Sequence, residues 1–550
     1  MLSCIIENNV IKEDEQIVFQ QYVKTCSVTP KNIYTSKQDL HKRYQLEKCI
    51  LNKLLDYFET KGFSRNDIIN KIPEFKYYSL VNYAHNNIAN DIINKVSFYD
   101  YLYKEINDFY SIINPREYGE YYTQLPIINL ALKDFKINSN EKIMDPSCGS
   151  GFILYACLLE ILKKEKDIDK IQKQIFGYDI FPFAVITTKM LLASALLEQG
   201  IQTIEIFNFK NIKIHNTLNY FKKYNIDKDI AKFDCIIGNP PYFRIDPKDN
   251  DKLNSKVSYG HNYAHSLFIQ WSIEHLKKDG RFCLIVPESI LSGFYYQKLR
   301  KSLYNNVNIE SVILSNVHED KFDVQQEIII LIANKSTKQE KTFSIARFDS
   351  SYRKIIKYPL PYNILQNEKY VIPAIKNQDE YKSIKIFSEQ LKEIKTNHIQ
   401  MATGNFVWNQ NKKSCYSKKV DKSVPLISGT SIQNGNLCID NDNENNYSYC
   451  VPTKICQMRN DTAIVFRRMS PMDYKKRFMG AIIDSNKIKK YVVENHVNIL
   501  SMENIDELKI LYNILNTEIA NTVINIFCHT NQISTNDLRT IFEVSKLLAT

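Results

Sequence analysis

The chain has 550 residues, which is long enough to bury several hydrophobic cores, so two or three domains are expected. Its 44% hydrophobic and 24% charged residues are ordinary for a folded globular protein and argue against a disordered chain. The formal net charge of +11 favours a polyanionic partner, although many proteins without such a partner are mildly basic.

The cysteines and the amino terminus predict a cytoplasmic protein. The twelve cysteines are scattered from Cys4 to Cys528 without a C-x-x-C pair, which argues against a zinc site and against a secreted disulfide framework. The first fifteen residues carry four acidic residues and no long apolar core, and no segment approaches the length of a membrane span. We therefore predict reduced thiols and no metal site.

Residues 1–105 are predicted to be helical. Apolar residues keep helical spacing between Leu46 and Phe58, Gly62 is suited to a helix end, and Ser64 begins a pattern typical of a new helix. A helical region of this kind is more often a scaffold than a functional site.

A strand, a glycine-containing loop and a helix follow one another in residues 141–154, EKIMDPSCGSGFIL. The strand ends at Asp145, and Gly149 and Gly151 precede an apolar helix. Glycines let the backbone approach a ligand closely, and a helix N-terminus offers N–H groups, so this order predicts a cradle for a nucleotide-type cofactor. Further on, Asp179 ends a second strand, where an acidic side chain accepts hydrogen bonds from ribose hydroxyls.

Another apolar strand opens the segment 233–242, FDCIIGNPPY, and stops at the tetrapeptide Asn-Pro-Pro-Tyr. Prolines donate no ladder hydrogen bonds and bias the preceding residue toward extended backbone, so Asn239 is held rigidly at the strand's end. The Asn239 side-chain carbonyl and the Pro240 backbone carbonyl are suited to accept both protons of an aromatic exocyclic amine, while Tyr242 stacks on the ring. Taken alone, such a tetrapeptide is as often only a loop.

These strings, preceded by GEYYTQ at residues 119–124, make the chain resemble the adenine-specific DNA methyltransferases that use S-adenosylmethionine. The order of the motifs, followed by a long carboxy-terminal region, is similar to the gamma arrangement of that family. The resemblance is strong over residues 110–335. It implies methyl transfer from S-adenosylmethionine to the exocyclic N6 amine of adenine in double-stranded DNA, on a base flipped out of the duplex, as the modification enzyme of a restriction–modification system.

The resemblance also implies a role for each matching position. The residues that would hold the methionine end of the cofactor or form the floor of its site are Gly119, Tyr122, Thr123, Asp145, Pro146, Gly149 and Gly151. Asp179 would bind the ribose, and Asn216 would accept a hydrogen bond from the cofactor's adenine. The target adenine would be held by Asn239, Pro240 and Tyr242.

A second aromatic wall for the extruded base is implied by the segment VPESILSGFYYQKLR, in which the spacing favours Tyr296, with Phe294 and Tyr295 as rivals. Two positions depart from the family's usual pattern. Gln124 stands where a proline is usual, and Asn216 stands where an acidic residue is usual, so Asn216 brings no charge to the site.

The predicted fold class is α/β, with a doubly wound Rossmann-like methyltransferase sheet, a helical amino-terminal extension and an α+β carboxy-terminal target-recognition domain. The predicted domains are residues 1–105 (helical), 106–345 (catalytic), 346–385 (connection) and 386–550 (target recognition). The segment SLFIQWSIEHLKKDGRFCLIVP predicts a helix ending at Gly280 and then a buried strand.

Basic clusters in the last region alternate with aromatic residues, which is typical of phosphate contacts combined with some base reading. The predicted DNA-binding residues are Arg467, Arg468, Lys475, Lys476 and Arg477. Each cluster alone is more often a solvated surface.

Several alternatives stay open. A protein-glutamine methyltransferase can hold a carboxamide with the same tetrapeptide, and an RNA adenine methyltransferase is a lesser rival. A catalytically silent DNA-binding subunit is disfavoured by the intact tetrapeptide. A fused nuclease has only Glu74-Phe75-Lys76 as a candidate motif, without a preceding Pro-Asp pair, so any cleavage is expected to come from a separate restriction endonuclease.

Overall fold

The computed structural model describes residues 13–26, 37–78, 80, 97–112, 123, 125–221, 232–245, 255–257, 262–314, 327–336, 340–348, 355–439, 447–452, 458–471, 476–528 and 531–549. The chain divides into two compact units. The first comprises Met1–Glu288 with Ser302–Gln339, and the second comprises Ser289–Lys301 with Glu340–Thr550. The predicted boundaries at 105, 345 and 385 stay predictions, and residues 289–301, which we predicted to be catalytic, group with the second unit.

The amino-terminal region of the first unit is helical where it is described. Its helices are α1 (Glu13–Cys26), α2 (Lys37–Thr60), α3 (Arg65–Lys71) and α4 (Phe98–Ile112). The predicted apolar face of α2 is confirmed, because Leu46 and Phe58 at its two ends are fully or almost fully buried. Gly62 lies just beyond α2 with φ of +88°, a conformation that glycine adopts without the strain a side chain would add.

The rest of the first unit alternates strands and helices. The elements are α5 (Leu125–Asp134), β1 (Ile143–Asp145), α6 (Phe152–Leu162), α7 (Ile168–Gln174), β2 (Ile175–Asp179), α8 (Pro182–Glu198), β3 (Ile212–Ile214), β4 (Phe233–Gly238), α9 (Ala264–His275), β5 (Leu276–Pro287), α10 (Gln297–Asn306, which crosses into the second unit), β6 (Asn308–Leu314) and β7 (Ile328–Asn334). The strands pair in the order β3-β2-β1-β4-β5-β7-β6. The first five are parallel and β7 is antiparallel to both neighbours, so the sheet is mixed and the predicted α/β class is confirmed.

Helix α8 is buried all round, because the sheet lies on one side and the amino-terminal helices cover the other. Phe109 of α4 stacks on Phe183 at a ring-centroid distance of 5.6 Å. The Lys189 ammonium pairs with the Glu74 carboxylate at 2.7 Å, and both groups are largely buried. A helix that is apolar on every face requires this double cover. The amino-terminal helices are therefore part of the first unit's core.

The boundary between α9 and β5 differs from the sequence prediction. The helix ends at His275, and Leu276 already pairs with Phe233 of β4. The predicted helix end at Gly280 is wrong, because pairing with β4 draws the polar segment before Gly280 into the strand, with a register irregularity beside it. Long-range pairing overrides the local helix signal here.

The second unit combines small sheets with helices, which confirms the predicted α+β character of residues 386–550. Its elements are β8 (Thr342–Phe348), β9 (Ile355–Pro361), α11 (Gln378–Leu391), β10 (Gln400–Thr403), β11 (Cys415–Tyr416), β12 (Val424–Ile427), β13 (Ile432–Gln433), β14 (Asn436–Leu437), β15 (Tyr449–Cys450), β16 (Ala463–Arg467), β17 (Gly480–Ile483), β18 (Val492–Val493), β19 (Val497–Ser501), α12 (Ile505–Leu515), α13 (Glu518–Phe527) and α14 (Thr535–Ala549). Four strands pair in the order β10-β19-β16-β17 around an apolar core that includes Ile427, Val465 and Ile499. In the described part of the chain, no helix has the length and apolar character needed to cross a membrane.

Candidate active site

A cleft lies where the parallel strands of the first unit end. Its volume is about 1090 Å³, including the solvent space at its open mouth. The carboxyl ends of β1, β2, β3 and β4 meet at one edge of the sheet, which is where doubly wound proteins bind their ligands. The predicted residues that line this cleft are Thr123, Asp145, Pro146, Gly149, Asp179, Asn216, Asn239 and Pro240. Gly151 and Tyr242 do not line it, and Gly119 and Tyr122 lie outside the described residues.

The glycine loop after β1 has the backbone that the sequence predicts. Gly149 and Gly151 have φ of +52° and +86°, and a Cβ at Gly151 would meet the Thr188 side chain at 2.8 Å. Gly151 therefore allows α8 to pack closely against the loop, although it does not face the cleft. The Thr188 hydroxyl donates to the Gly149 carbonyl at 2.8 Å and fixes the loop.

The carboxyl groups of Asp145 and Asp179 accept hydrogen bonds from the backbone of the glycine loop. Asp145 is 1% exposed, and its carboxylate accepts the Ser147 N–H at 2.9 Å. Burial raises the pKa of Asp145 to about 8; the nearby charge of Asp179 also raises it, and the bond from Ser147 opposes the shift. Asp179 is half-buried and accepts the N–H groups of Gly149 at 3.0 Å and Phe181 at 2.9 Å. The Asp179 carboxylate at the end of β2 thus binds both the glycine loop and the turn that follows β2.

Asn216 follows β3 and lines the same cleft. Its side-chain oxygen accepts the Leu218 N–H at 3.0 Å, which closes a local turn. The next residue, Thr217, donates its hydroxyl to the Pro146 carbonyl at 2.7 Å and joins this turn to the glycine loop. A carbonyl oxygen has two lone pairs, so the bond to Leu218 is compatible with the predicted bond from a cofactor adenine.

The tetrapeptide after β4 lies against the glycine loop. The Ser147 hydroxyl donates to the Asn239 backbone carbonyl at 3.4 Å, and a Cβ at Gly238 would meet the Asp145 carboxylate at 2.8 Å. The sequence did not predict the next contact. The Tyr242 hydroxyl lies 2.5 Å from the Asn239 side-chain oxygen and 3.1 Å from the Ile285 carbonyl oxygen, and it donates its proton to these acceptors.

Tyr242 contacts Asn239 and does not line the cleft. Its ring meets His265 edge-on at 5.9 Å, and the cleft is lined instead by the following residue, Phe243. Tyr242 orients the Asn239 amide in the structure. Its predicted stacking on the target base stays a prediction.

Tyr296, which we predicted to stack on the target base, is buried in this structure, and its role stays a prediction. It lies in the second unit, is only 7% exposed and packs against Gly293, whereas Phe294 and Tyr295 are 54% and 42% exposed. The reason is the short helical turn that contains all three residues, since it directs the third ring inward. Arg300 braces the turn by donating to the Gly293 carbonyl at 2.8 Å. The rivals that we left open, Phe294 and Tyr295, also stay predictions.

Sequence reasoning missed several cleft residues. The residues that the pattern did not indicate include Arg43, Phe152, Phe181, Phe243 and Phe268. The sequence did not identify the aromatic residues as cleft residues, because apolar side chains at strand ends and helix starts are normally assigned to the hydrophobic core. Arg43 had one usable signal, which is that a basic residue and Glu47 stand four apart on the apolar face of a helix.

The predicted DNA-binding residues differ in their exposure to solvent. Lys476 is exposed and Arg468 is half-buried, whereas Lys475 lies outside the described residues. Arg467 is half-buried and donates to the Ile432 carbonyl at 2.7 Å. Arg477 is fully buried, so its predicted role in phosphate contact is wrong.

The reason is the packing of Arg477 beneath helix α13 and its following turn. It donates to the carbonyls of Cys528 at 2.6 Å and Ser470 at 3.1 Å, and to the side chain of Asn525 at 3.3 Å. Burial lowers the pKa of Arg477 from its ordinary value.

Substituting Lys476 and Arg477 separately is expected to give opposite results. Arg477→Ala leaves buried carbonyls without donors, so the free energy of unfolding falls by about 3 kcal/mol. Lys476→Ala leaves stability unchanged, because the side chain is exposed, but weakens binding to all DNA sequences and reduces its salt dependence. Denaturant unfolding and DNA titrations at several salt concentrations measure both effects. Equal stability of the two variants would contradict the assignment.

The candidate nuclease motif is used for packing. Glu74 pairs with buried Lys189, as described above, so its carboxylate supports helix α8. Among the described residues, no group of three or more His, Cys, Asp or Glu side chains is arranged to hold a metal ion.

The mixed sheet, with its glycine loop and cleft at the carboxyl edge, defines a Rossmann-like protein of the methyltransferase class. A family model described as N-6 DNA Methylase matches residues 96–415, and the chain belongs to that family. This confirms the adenine-specific DNA methyltransferase family that the motifs indicate. The gamma arrangement stays a prediction.

Curated relatives are restriction–modification proteins. The chain is 26% identical to the type I restriction enzyme EcoEI methylase subunit of Escherichia coli, over 40% of this chain and 44% of that protein. It is 24% identical to the type II methyltransferase M.PstI of Providencia stuartii (47% and 53%) and 25% identical to M.AccI of Acinetobacter calcoaceticus (58% of each). The chain thus spans about half the length of the curated relatives it matches.

Proposed function

We propose that the chain is a site-specific DNA methyltransferase that methylates the N6 amine of adenine in double-stranded DNA, as the modification enzyme of a restriction–modification system. The observation that carries the proposal is the cleft itself, which brings the Asn239-Pro240 turn to the glycine loop and to Asp179. A methyl donor and an amine held there would lie side by side. Membership of the N-6 DNA methylase family supports the same activity.

The cleft suits S-adenosylmethionine as the cofactor. Backbone at Gly149 with positive φ gives a ligand room that a side chain would fill. Asp179 stands at the end of β2, where an acidic side chain binds ribose hydroxyls. Asn216 and Phe268 offer an amide and an aromatic face for an adenine ring. When bound, S-adenosylmethionine supplies a methyl group on a sulfonium that is already activated for transfer.

The chain's own residues hold the amine and remove its solvation. The Asn239 side-chain carbonyl and the Pro240 backbone carbonyl accept the two amine protons, which draws the nitrogen toward tetrahedral geometry and exposes its lone pair. Tyr242 keeps the Asn239 amide oriented before the base arrives, through its 2.5 Å contact with the side-chain oxygen. Orientation of the two reactants in one cleft supplies most of the acceleration.

A longer target sequence has to be read outside the cleft, because the cleft accepts one base. The second unit carries the exposed Lys476, the half-buried Arg468 and the exposed Phe294 and Tyr295. These side chains suit phosphate contacts and base stacking. We therefore assign target recognition to the second unit, with a separate restriction endonuclease as a possible partner in the cell.

The function is tested by incubating the purified chain with methyl-labelled S-adenosylmethionine and duplex DNA of all possible short sequences. We expect label in N6-methyladenine at one recurring sequence. The same assay offers structured RNA and a glutamine-containing peptide, so label in either of those alone would favour the rival methyltransferases. No label in any substrate, with the cofactor bound, would contradict the proposal.

Asp179→Ala is the companion variant for this assay. It is expected to weaken S-adenosylmethionine binding at least about tenfold, because a charged acceptor for ribose hydroxyls is lost. Asp167→Ala serves as the matched control, since that carboxylate caps helix α7 at the surface and does not line the cleft. Calorimetric titration measures both dissociation constants, and an unchanged value for Asp179→Ala would remove this residue from the site.

A further inference from the structure

Arg43 reaches the cleft from helix α2, far upstream of the sheet in the sequence. Its side chain is 1% exposed to solvent and yet lines the cleft. Its guanidinium carbon lies 4.0 Å from the centre of the Phe181 ring, two residues after Asp179. A fully buried arginine is costly unless charged or polar groups surround it, because its guanidinium stays protonated.

A second layer of buried side chains orients Arg43. Its Nε donates to the Glu47 carboxylate at 2.6 Å, and this ion pair is 1% and 0% exposed. The hydroxyls of Tyr22 and Tyr78 donate to the other carboxylate oxygen at 2.9 and 2.6 Å. Glu47 thus receives donors from three side chains, so the plane of the guanidinium is held in one direction. Of this ion pair, Arg43 lines the cleft.

The wall of the cleft near Arg43 is suited to an anion. Phe109, whose ring centre is 5.8 Å from the guanidinium carbon, stacks on Phe183 in the first turn of α8. Phe183 and Phe152 both line the cleft from first helical turns, where the backbone carries partial positive charge. Asn216, after the outermost parallel strand, lines the same cleft.

We propose that Arg43 is a cofactor-binding residue that pairs with the α-carboxylate at the methionine end of S-adenosylmethionine. The inference rests on the proposed function. S-Adenosylmethionine carries one anionic group, its α-carboxylate, and Arg43 is the one lysine or arginine among the described residues that line the cleft. The fork of N–H donors on a guanidinium matches a carboxylate with two parallel hydrogen bonds.

The test compares two ligands that differ in one group. S-Adenosylmethionine and its decarboxylated analogue are titrated calorimetrically into the wild-type chain, Arg43→Met and Arg43→Lys. We expect the wild type to prefer the carboxylated ligand by about 10- to 100-fold. Arg43→Met should lose that preference while it binds the decarboxylated analogue within about threefold of the wild type. Arg43→Lys should fall between the two, because an ammonium keeps the charge but lacks the fork.

Lys53→Met is the matched control, since it removes a cation from the same helix whose partner, Glu105, lies outside the cleft. Its ligand preference should equal that of the wild type. If Arg43→Met does not fold, Arg43→Lys alone decides, and a preference unchanged from the wild type overturns the proposal. Equal weakening of both ligands by Arg43→Met also overturns it, because Arg43 would then contact the ribose or only brace the cleft. Failure of the proposed function shows separately, as the absence of N6-methyladenine in the DNA assay, and a cleft that does not hold this cofactor shows as a wild type that binds neither ligand.

Discussion

Asn239→Ala is expected to reduce the rate of methyl transfer by about a hundredfold or more while the dissociation constant of S-adenosylmethionine changes less than about twofold. The substitution removes one of two carbonyl acceptors for the target amine, and the lost acceptor contributes mainly as the nitrogen changes geometry. Single-turnover rates with saturating duplex DNA measure the chemical step, and a cofactor titration on the same preparation measures binding.

The structure limits the side effects of this substitution. The Tyr242 hydroxyl lies 3.1 Å from the Ile285 carbonyl oxygen as well as near Asn239, so in the variant it still has an acceptor and the ring keeps its position. Asn211→Ala is the matched control, because Asn211 donates to the Gln172 carbonyl at 3.1 Å and does not line the cleft. Activity of Asn239→Ala within a few-fold of the control would exclude the assigned role.

Exchanging the second unit is expected to change the methylated sequence completely while the chemistry is kept. The described residues that line the cleft all belong to the first unit, so cofactor affinity should stay within about threefold of the wild type. Each lost bidentate base contact is worth about 1–3 kcal/mol of discrimination, so a different set of contacts selects a different site. Sequencing of modified adenines in DNA exposed to the hybrid gives the new target.

The bounds of the second unit determine which residues the exchange should replace. We predicted a border at residue 386, but Glu340–Thr550 form one unit, together with Ser289–Lys301. The related enzyme's region should therefore replace residues 340–550, with 289–301 exchanged in a second hybrid. Methylation of the original sequence by both hybrids would locate recognition in the first unit.

The glycine loop after β1 and the tetrapeptide were predictable because their geometry depends on a few neighbouring residues. Glycine permits the positive φ at positions 149 and 151. Proline restricts the backbone around Asn239. The parallel strands before these turns end at one edge of the sheet, so a correct assignment of strand and helix already brings Asp145, Asp179 and Asn239 to one cleft.

Burial was harder to predict, because the local sequence around a basic or aromatic residue is similar whether its side chain is buried or exposed. Adjacent residues differ most clearly: Lys476 is exposed and Arg477 is fully buried, and Tyr295 is exposed whereas Tyr296 is buried. Which of two neighbours faces inward depends on the carbonyls and rings that other elements supply, such as the Cys528 carbonyl beneath Arg477.

The sequence by itself determined the fold class, the family and the residues of the glycine loop and the tetrapeptide, because short-range constraints of glycine, proline and strand ends encode them. Only the tertiary structure decided that Tyr242 holds the Asn239 side chain, that helix α9 ends at His275 and that Arg43 enters the cleft from helix α2. Each of these depends on contacts between segments distant in the chain, where the pairing of strands and the packing of buried polar groups select one arrangement from many.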